Sequence, residues 1–256
     1  LVAAMAVGVF AGCSSSEEPA ETTEGTEEGA EATGEKYIIA TDTVFPPFEF
    51  TNEDGDFVGI DVDIINAIAE DQGIDVEIQS LGFDAALLAV QSGQADGVIA
   101  GMSITDERKQ SFDFSEPYFD ADVTMAVAKG SDVKSYEDLA GKTVAVKTAT
   151  NGADFAKSIA DEYGFTVVEF KDSPTMYQDV IAGNTAACFE DYPVMAYNIQ
   201  QGAELEMPEG ATAAGTQYGF AVAKGQNAEL LEKFNAGFAN IKENGKFQEI
   251  VDTYTK

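Results

Sequence analysis

The stretch Ala100-Gly-Met-Ser-Ile-Thr-Asp-Glu-Arg-Lys109 decides how the whole sequence is interpreted. It follows the apolar run Gly97-Val-Ile-Ala100, which is typical of a strand, and it leads into a predicted helix. Thr105 is the predicted N-cap of that helix, because its hydroxyl can accept a hydrogen bond from an amide of the first turn. Residues 101–103 then form a loop at the carboxyl end of a strand, where open α/β sheets bind their ligands.

Arg108 lies one turn into the predicted helix, and its planar guanidinium can hold a carboxylate through two parallel hydrogen bonds. A single arginine in such a place is usually a solvated side chain. Here a second segment, Glu190-Asp-Tyr-Pro193, supplies the complementary charge. The two segments together predict a binding site.

Composition limits the partners of the chain. Its 256 residues suffice for two modest domains, and 46 acidic against 14 basic residues give a formal charge of −32. This charge argues against nucleic acid and anionic lipid headgroups as partners. The chain has no histidine and two cysteines, so we expect neither a metal site nor a cofactor. Cys188 lies in an apolar run and is predicted to be a buried thiol.

The first twelve residues are apolar and too few to span a bilayer, as is typical of the apolar region of a signal peptide. No initiating methionine precedes them, so we expect the sequence to begin inside that peptide (1–13). The run ends in Phe10-Ala-Gly-Cys13 and turns polar at once. This resembles the lipobox of bacterial lipoproteins, in which the cysteine is acylated and becomes the mature N-terminus. The resemblance implies a lipid on Cys13.

Residues 14–35 contain eight glutamates and no large apolar side chain. Such a segment cannot bury enough surface to offset the entropy lost on ordering. We therefore expect a disordered acidic tether between a lipid anchor and a folded module.

From Lys36 onward, strands and helices are predicted to alternate, which indicates an α/β fold with parallel sheets and crossover helices. Asp61 is the predicted N-cap of a helix over 62–69, and Gly73 its end. The predicted strands cover 37–40, 76–79, 98, 123–127, 144–146, 167–170, 186–189 and 220–222. The other predicted helices cover 83–90, 230–244 and 245–254.

Two strand-like runs are similar, namely Thr124-Met-Ala-Val-Ala-Lys-Gly130 and Gly219-Phe-Ala-Val-Ala-Lys-Gly225. We interpret them as the two points where the chain crosses between domains. The first lobe would then comprise residues 36–120 and 218–256, and the second residues 121–217.

From Lys36 to Lys256 the chain resembles the type 3 extracellular solute-binding proteins of amino-acid ABC importers, and among them the glutamine-binding members. The order and spacing of several motifs carry the resemblance: Ala40-Thr-Asp-Thr-Val-Phe-Pro-Pro-Phe-Glu-Phe50, Gly59-Ile-Asp-Val-Asp63, Gly82-Phe-Asp84, Gly101-Met-Ser-Ile-Thr-Asp-Glu-Arg108, Phe112-Asp-Phe-Ser115 and Asn244-Gly-Lys246. It implies the two-lobed type II periplasmic-binding-protein fold, with two hinge strands and a ligand in the interlobe cleft. It also implies a monomeric, extracytoplasmic lipoprotein that is not an enzyme and that docks on a permease.

The resemblance assigns site residues position by position. Arg108 would bind the α-carboxylate of a free amino acid, and Asp191 its α-ammonium. Phe45 and Phe83 would be aromatic walls around the aliphatic part of the ligand. Further contacts would come from the loop residues Gly101, Met102 and Ser103 and from the helix start at Thr150 and Asn151.

Asp42 and Lys147 correspond to positions near the distal end of the ligand in glutamine binders, where an acceptor and a donor suit a carboxamide. Glu190 stands where the resemblance implies a histidine, and an additional anion there would favour arginine, lysine or histidine. Two other functions stay open. One is a dehydratase-like enzyme using cleft carboxylates, and the other is a receptor that signals to a sensor protein.

Overall fold

The computed structural model describes residues 36–256. The predicted signal peptide, Cys13 and the predicted tether lie outside the described residues. The strands are β1 (Lys36–Thr41), β2 (Phe50–Thr51), β3 (Phe57–Val58), β4 (Asp75–Ser80), β5 (Gly97–Val98), β6 (Phe112–Phe114), β7 (Phe119–Ala128), β8 (Thr143–Lys147), β9 (Thr166–Phe170), β10 (Ala187–Asp191), β11 (Leu205–Glu206), β12 (Thr212–Tyr218) and β13 (Ala221–Ala223). The α-helices are α1 (Ile60–Gln72), α2 (Phe83–Gln91), α3 (Asn151–Tyr163), α4 (Ser173–Ile181), α5 (Tyr192–Gln200), α6 (Ala228–Glu243) and α7 (Lys246–Thr255).

Lobe 1 is built on a five-stranded sheet with the order β4-β1-β5-β13-β6. β1 runs parallel to β4 and β5, whereas β13 runs antiparallel to β5 and β6. Helices α1, α6 and α7 pack on one face through an apolar cluster that includes Ile39 and Phe234. Helix α2 packs on the other face through a second cluster that includes Val98. The sheet is therefore covered on both faces, as its apolar strands require.

Lobe 2 contains a sheet with the order β11-β7-β10-β8-β9, and β12 also pairs with β7. β8 runs parallel to β9 and β10, while β7 runs antiparallel to β10, β11 and β12. Helix α3 packs on one face, and α4 and α5 pack on the other. The thiol of Cys188 is free and buried beneath α4 and α5, as predicted.

The chain passes between the two sheets at residues 115–118 and 219–220. There β7 and β12 pair antiparallel, with Phe119 opposite Tyr218. The run 124–130 is therefore not a crossing, and that part of the interpretation was wrong, whereas the run 219–225 begins with the crossing residues 219–220. The run 124–130 belongs to the sheet of lobe 2, whereas 219–225 contains β13 of lobe 1. Their likeness reflects strand composition, which carries no information about topology.

Helix α1 begins two residues earlier than predicted, at Ile60, so Asp61 is not its N-cap. Gly59 holds that position, and Asp61 lies fully buried in the first turn. The backbone of a preceding loop caps the helix instead. The amide of Ile60 donates to the Pro47 carbonyl and the amide of Asp61 donates to the Phe48 carbonyl, both at 2.9 Å.

The predicted helix after Thr105 is only a short 3-10 turn, Arg108–Gln110. The Thr105 hydroxyl does accept a hydrogen bond from the Arg108 amide at 3.2 Å, as an N-cap would. The turn cannot extend, because β6 begins at Phe112 and pairs with β13. Arg108 therefore lies at the start of a turn and not one turn into an α-helix.

We expect Gly59→Ala to lower the free energy of unfolding by about 3 kcal/mol, because its φ of 140° is nearly restricted to glycine and a Cβ would lie 2.1 Å from the Phe48 carbonyl oxygen. Gly73 ends α1 at φ 62° and faces open space, so Gly73→Ala should lower it by about 1 kcal/mol. Urea unfolding measures both values. Equal losses would contradict this account of how α1 begins.

Candidate ligand-binding site

A small cavity of about 10 Å³ lies between the lobes. It contains nine of the twelve ligand-binding positions that the sequence predicts. The lining residues are Phe45, Phe83, Ala100, Gly101, Ser103, Arg108, Lys147, Thr150, Asn151 and Asp191. Ala100 is the one member of this lining that was not predicted. Three predicted residues, Asp42, Met102 and Glu190, lie next to the cavity without lining it.

Arg108 joins the two lobes from the wall of the cavity. One guanidinium nitrogen donates to the Ser103 carbonyl and the other to the Ala149 carbonyl of lobe 2, each at 2.8 Å. Its Cζ lies 5.4 Å from the centre of the Phe83 ring, within the range of a cation–π contact. Burial lowers the pKa of Arg108 while the Asp191 carboxylate raises it, and an arginine stays charged under such conditions. The remaining N–H groups can hold an anion.

Ala149 has a positive φ of 63°, which is uncommon for a residue with a Cβ. This conformation accompanies the carbonyl contact with Arg108. Sequence reasoning missed Ala149, because nothing in an alanine between two threonines indicates a left-handed backbone.

The amino end of α3 contributes Thr150 and Asn151 to the cavity. The Thr150 hydroxyl accepts from the Ala153 amide at 3.2 Å and donates to the Lys147 carbonyl at 2.7 Å. That hydroxyl therefore acts as an N-cap. The amides and the positive end of the helix dipole at this position favour an anion.

Asp191 enters the cavity from lobe 2 and is 7% exposed. The Tyr218 hydroxyl donates to its Oδ2 at 2.5 Å. Burial and the neighbouring Glu190 raise the pKa of Asp191 to about 7, although Tyr218 and Arg108 lower it. Tyr218 lies at the end of β12 and was missed, because no sequence pattern links a strand tyrosine to a distant carboxylate.

Gly101 has a left-handed backbone, with φ 52°, and a Cβ there would lie 2.6 Å from the Phe45 ring. Only glycine meets both conditions, so the loop can lie directly against an aromatic wall. Ser103, in the same loop, is buried and forms an antiparallel backbone bridge with Tyr218.

A buried ion pair between Lys147 and Asp42 joins the lobes at the base of the cavity. Both side chains are no more than 2% exposed. The Lys147 ammonium lies 4.4 Å from the ring centre of Phe45 and 5.6 Å from that of Phe83. Burial alone lowers the pKa of Lys147, but Asp42 and Glu190 raise it above its ordinary value, so the ammonium stays charged.

Glu190 is turned away from the cavity into lobe 2. Its carboxylate accepts from the Ser173 hydroxyl at 2.6 Å, the Tyr177 hydroxyl at 2.8 Å and the Asp191 amide at 3.0 Å. Met102 is fully buried and belongs to the apolar cluster beneath α2. Both side chains therefore pack behind the cavity and do not line it.

The two lobes, the paired crossings and the interlobe cavity define a type II periplasmic binding protein. The chain belongs to family 3 of the bacterial extracellular solute-binding proteins, whose profile matches residues 37–256. It is an amino-acid-binding protein of ABC transport, from a family of transport proteins rather than enzymes. Within residues 36–256, no helix has the length and apolar character needed to cross a membrane.

Two relatives are named for arginine. The arginine-binding extracellular protein ArtP of Bacillus subtilis is 30% identical, over 87% of each chain. An arginine-binding periplasmic protein of Mannheimia haemolytica is 32% identical, over 85% of this chain and 90% of the relative.

Solved structures extend the comparison. The second substrate-binding domain of a putative amino-acid ABC transporter from Streptococcus pneumoniae is 48% identical, covers 86% of this chain and all of its own, and has a TM-score of 0.60. Substrate-binding domain 2 of Lactococcus lactis GlnP, solved in an open conformation, is 46% identical. The match covers 87% of this chain and 96% of that domain, with a TM-score of 0.61. An ancestral arginine-binding protein bound to glutamine is 39% identical. The match covers 86% of this chain and 97% of that protein, with a TM-score of 0.79.

The pKa of Asp191 predicts a pH dependence of stability. A carboxyl that titrates near pH 7 when folded, and near 4 when unfolded, contributes stability below about pH 4 that is lost as the pH rises through about 7. From pH 5 to pH 8, we expect the free energy of unfolding to fall by about 1–3 kcal/mol more in the parent protein than in Asp191→Asn. Urea unfolding at both pH values checks this. The exposed Asp106→Asn is the control and should follow the parent. Parallel curves for the parent and Asp191→Asn would contradict it.

Proposed function

We propose that this protein is the glutamine receptor of an amino-acid ABC importer. One observation carries the proposal: a guanidinium from lobe 1 and a carboxylate from lobe 2 line the same small cavity. A free amino acid carries the two complementary charges on one carbon. It would therefore join Arg108 to Asp191, and its binding free energy would favour the closed arrangement.

The two ends of the amino acid would have separate partners. The α-carboxylate would accept hydrogen bonds from Arg108 and from the amides at the amino end of α3. The α-ammonium has three donors, and Asp191, the Gly101 carbonyl and the Ser103 hydroxyl offer three acceptors. Phe45 and Phe83 would contact the aliphatic part of the ligand.

The preference for glutamine rests on the ion pair at the base of the cavity. A carboxamide offers one acceptor and two donors. The Lys147 ammonium lines the cavity and can donate to its oxygen, while Asp42 lies next to the cavity and holds the ammonium in place. A guanidinium would instead meet the like charge of Lys147 at close range. An ancestral arginine-binding protein that is similar to this chain was solved with glutamine bound, which agrees with a cleft that accepts glutamine.

Arginine is the second candidate, for two reasons. The relatives from Bacillus and Mannheimia are named for arginine, and the carboxylate of Glu190 adds a buried negative charge beside Asp191. Glu190, however, already accepts three hydrogen bonds inside lobe 2. Its charge acts on the cavity from behind and offers no direct partner to a ligand.

We also propose that the protein is a monomer anchored outside the cytoplasm by a lipid on Cys13, from where it delivers the amino acid to a permease. The sequence around Cys13 and the acidic segment after it support the anchor. Cys13→Ser should release the protein from membranes. Retention of that variant in the membrane fraction would refute the anchor.

Thermal denaturation in the presence of each of the twenty amino acids tests the proposed ligand. Glutamine at 100 times its dissociation constant should stabilise the protein by about 2.7 kcal/mol, and arginine at the same concentration should stabilise it less. Calorimetric titration gives the affinities. A larger effect of arginine would overturn the assignment to glutamine.

Arg108→Ala and Lys109→Ala form a matched pair for the same titration. Arg108→Ala should abolish measurable binding, because loss of one partner from a buried charge pair typically costs roughly 2–5 kcal/mol. The side chain of Lys109 is exposed and bound only to Asp106, so Lys109→Ala should bind like the parent. Unchanged affinity in Arg108→Ala would reject the site.

Lys147→Met should reverse the preference between ligands. The substitution removes the donor for the carboxamide and leaves Asp42 free to accept from a cation. We expect the affinity for glutamine to fall at least tenfold and the ratio of arginine to glutamine affinity to rise. A variant that loses both ligands equally would show that Lys147 acts on closure alone.

A further inference from the structure

Two fully buried carboxyl groups, Glu49 and Asp61, lie behind the cavity in lobe 1 and are not among its lining residues. The Oδ2 atom of Asp61 accepts from the Gly101 amide at 2.7 Å and from the Tyr118 hydroxyl at 2.8 Å. Gly101 belongs to the loop that lines the cavity, and Tyr118 belongs to a crossing between the lobes. One carboxylate oxygen thus joins the binding loop to the hinge.

The other carboxyl oxygens have no donor among residues 36–256. These are both oxygens of Glu49 and the Oδ1 of Asp61. The two side chains lie within hydrogen-bonding reach of each other. Two carboxylates can only accept, whereas a carboxylic acid can donate to a carboxylate. A single proton between them satisfies the contact and removes one of two buried like charges.

We propose that Asp61 and Glu49 share one proton and that this carboxyl pair is the device that positions Gly101 for the ligand and ties it to Tyr118 at the hinge. The role of the pair as a ligand-positioning element rests on the proposed function. Neither residue contacts the ligand in this account, so both are positioning residues.

The surroundings of the pair agree with a retained proton. Burial raises the pKa of Glu49 well above its ordinary value, and Asp61 and Asp42 raise it further while Lys147 lowers it. Burial also raises the pKa of Asp61 to about 7, against the lowering effect of its hydrogen bonds from Gly101 and Tyr118. The groups that face the pair are therefore Asp42, Lys147 and Tyr118.

Loss of the shared proton at high pH leaves two buried anions in contact. Their repulsion should displace Asp61 and with it the Gly101 loop, so ligand affinity should fall. Asp61→Asn copies the singly protonated pair, because it places a neutral donor at position 61 and leaves the one negative charge on Glu49. Its carboxamide oxygen can accept from Gly101 and Tyr118, and its NH₂ group can donate to Glu49. Asp61→Ala removes all of these contacts.

Hydrogen–deuterium exchange of residues 100–104 in the ligand-free protein tests the positioning role without any ligand. We expect Asp61→Ala to accelerate exchange there at least tenfold and Asp61→Asn to leave it close to that of the parent. Asp63→Asn is the matched control, because Asp63 lies on the same helix and accepts from Tyr254 instead. It should exchange like the parent.

Calorimetric titration with L-glutamine at pH 6 and pH 9 tests the shared proton. For each protein, the ratio of the dissociation constant at pH 9 to that at pH 6 is measured. This ratio should be at least three times larger for the parent than for Asp61→Asn. Deprotonation of the ligand's amine and of Asp191 affects both proteins alike and cancels when the two ratios are compared. At pH 6, Asp61→Ala should bind at least tenfold more weakly than the parent.

The outcomes separate this inference from the proposed function. Unchanged exchange at 100–104 in Asp61→Ala, or equal pH ratios for the parent and Asp61→Asn, would overturn the carboxyl pair. A parent that exchanges as expected but does not bind glutamine would overturn the proposed ligand and leave the positioning of Gly101 supported. If Asp61→Ala does not fold, the comparison of the parent with Asp61→Asn decides alone.

Discussion

A charge buried between two lobes needs a partner, and this constraint governs the cleft. Lys147 of lobe 2 meets Asp42 of lobe 1, and Arg108 of lobe 1 meets a carbonyl of lobe 2. Each contact exists only when the lobes are together. Asp191 has Tyr218 as its donor but no cation at bonding distance among residues 36–256. An unpaired buried charge is destabilising, so closure is most favourable when a ligand supplies that cation.

The topology explains how these groups come together. Asp42 follows β1, and the loop with Gly101 follows β5, both at the carboxyl ends of parallel strands of lobe 1. Lys147 and Asp191 end β8 and β10, which are parallel neighbours in lobe 2. Parallel strands deliver their carboxyl ends to one edge of a sheet, and ligands bind outside such edges in open α/β folds. The cleft forms where these two edges meet. The charged side chains therefore lie at or directly after the ends of strands and not on long loops.

Much of this arrangement could be predicted from sequence, and the failures have identifiable causes. Period-two and helical patterns located eight of the thirteen strands within residues 36–256 and the helices α1, α2, α6 and α7, but not α4 or α5. The order of the motifs brought Arg108 and Asp191 to one cavity. The role of Asp61 was missed because its partners are a loop amide and a hinge tyrosine, which no local pattern reveals. Glu190 could have been placed correctly. It precedes Asp191 on one strand, and successive side chains point to opposite faces, so the two cannot both line the cavity.

The charge balance of the cleft also bears on which amino acid fits. Arg108 and Asp191 together are neutral and match the zwitterionic end of any free amino acid. Lys147 and Asp42 are neutral as well, and both are buried beside the aromatic walls. A second ligand charge has no free partner there. At 4 Å and an effective dielectric constant near 20, a like-charge contact with Lys147 would cost about 4 kcal/mol. Asp42 would attract the same cation, but it lies next to the cavity without lining it, whereas Lys147 lines the cavity. For the proposed ligand, a neutral tail that accepts a hydrogen bond from Lys147 would therefore be the better match.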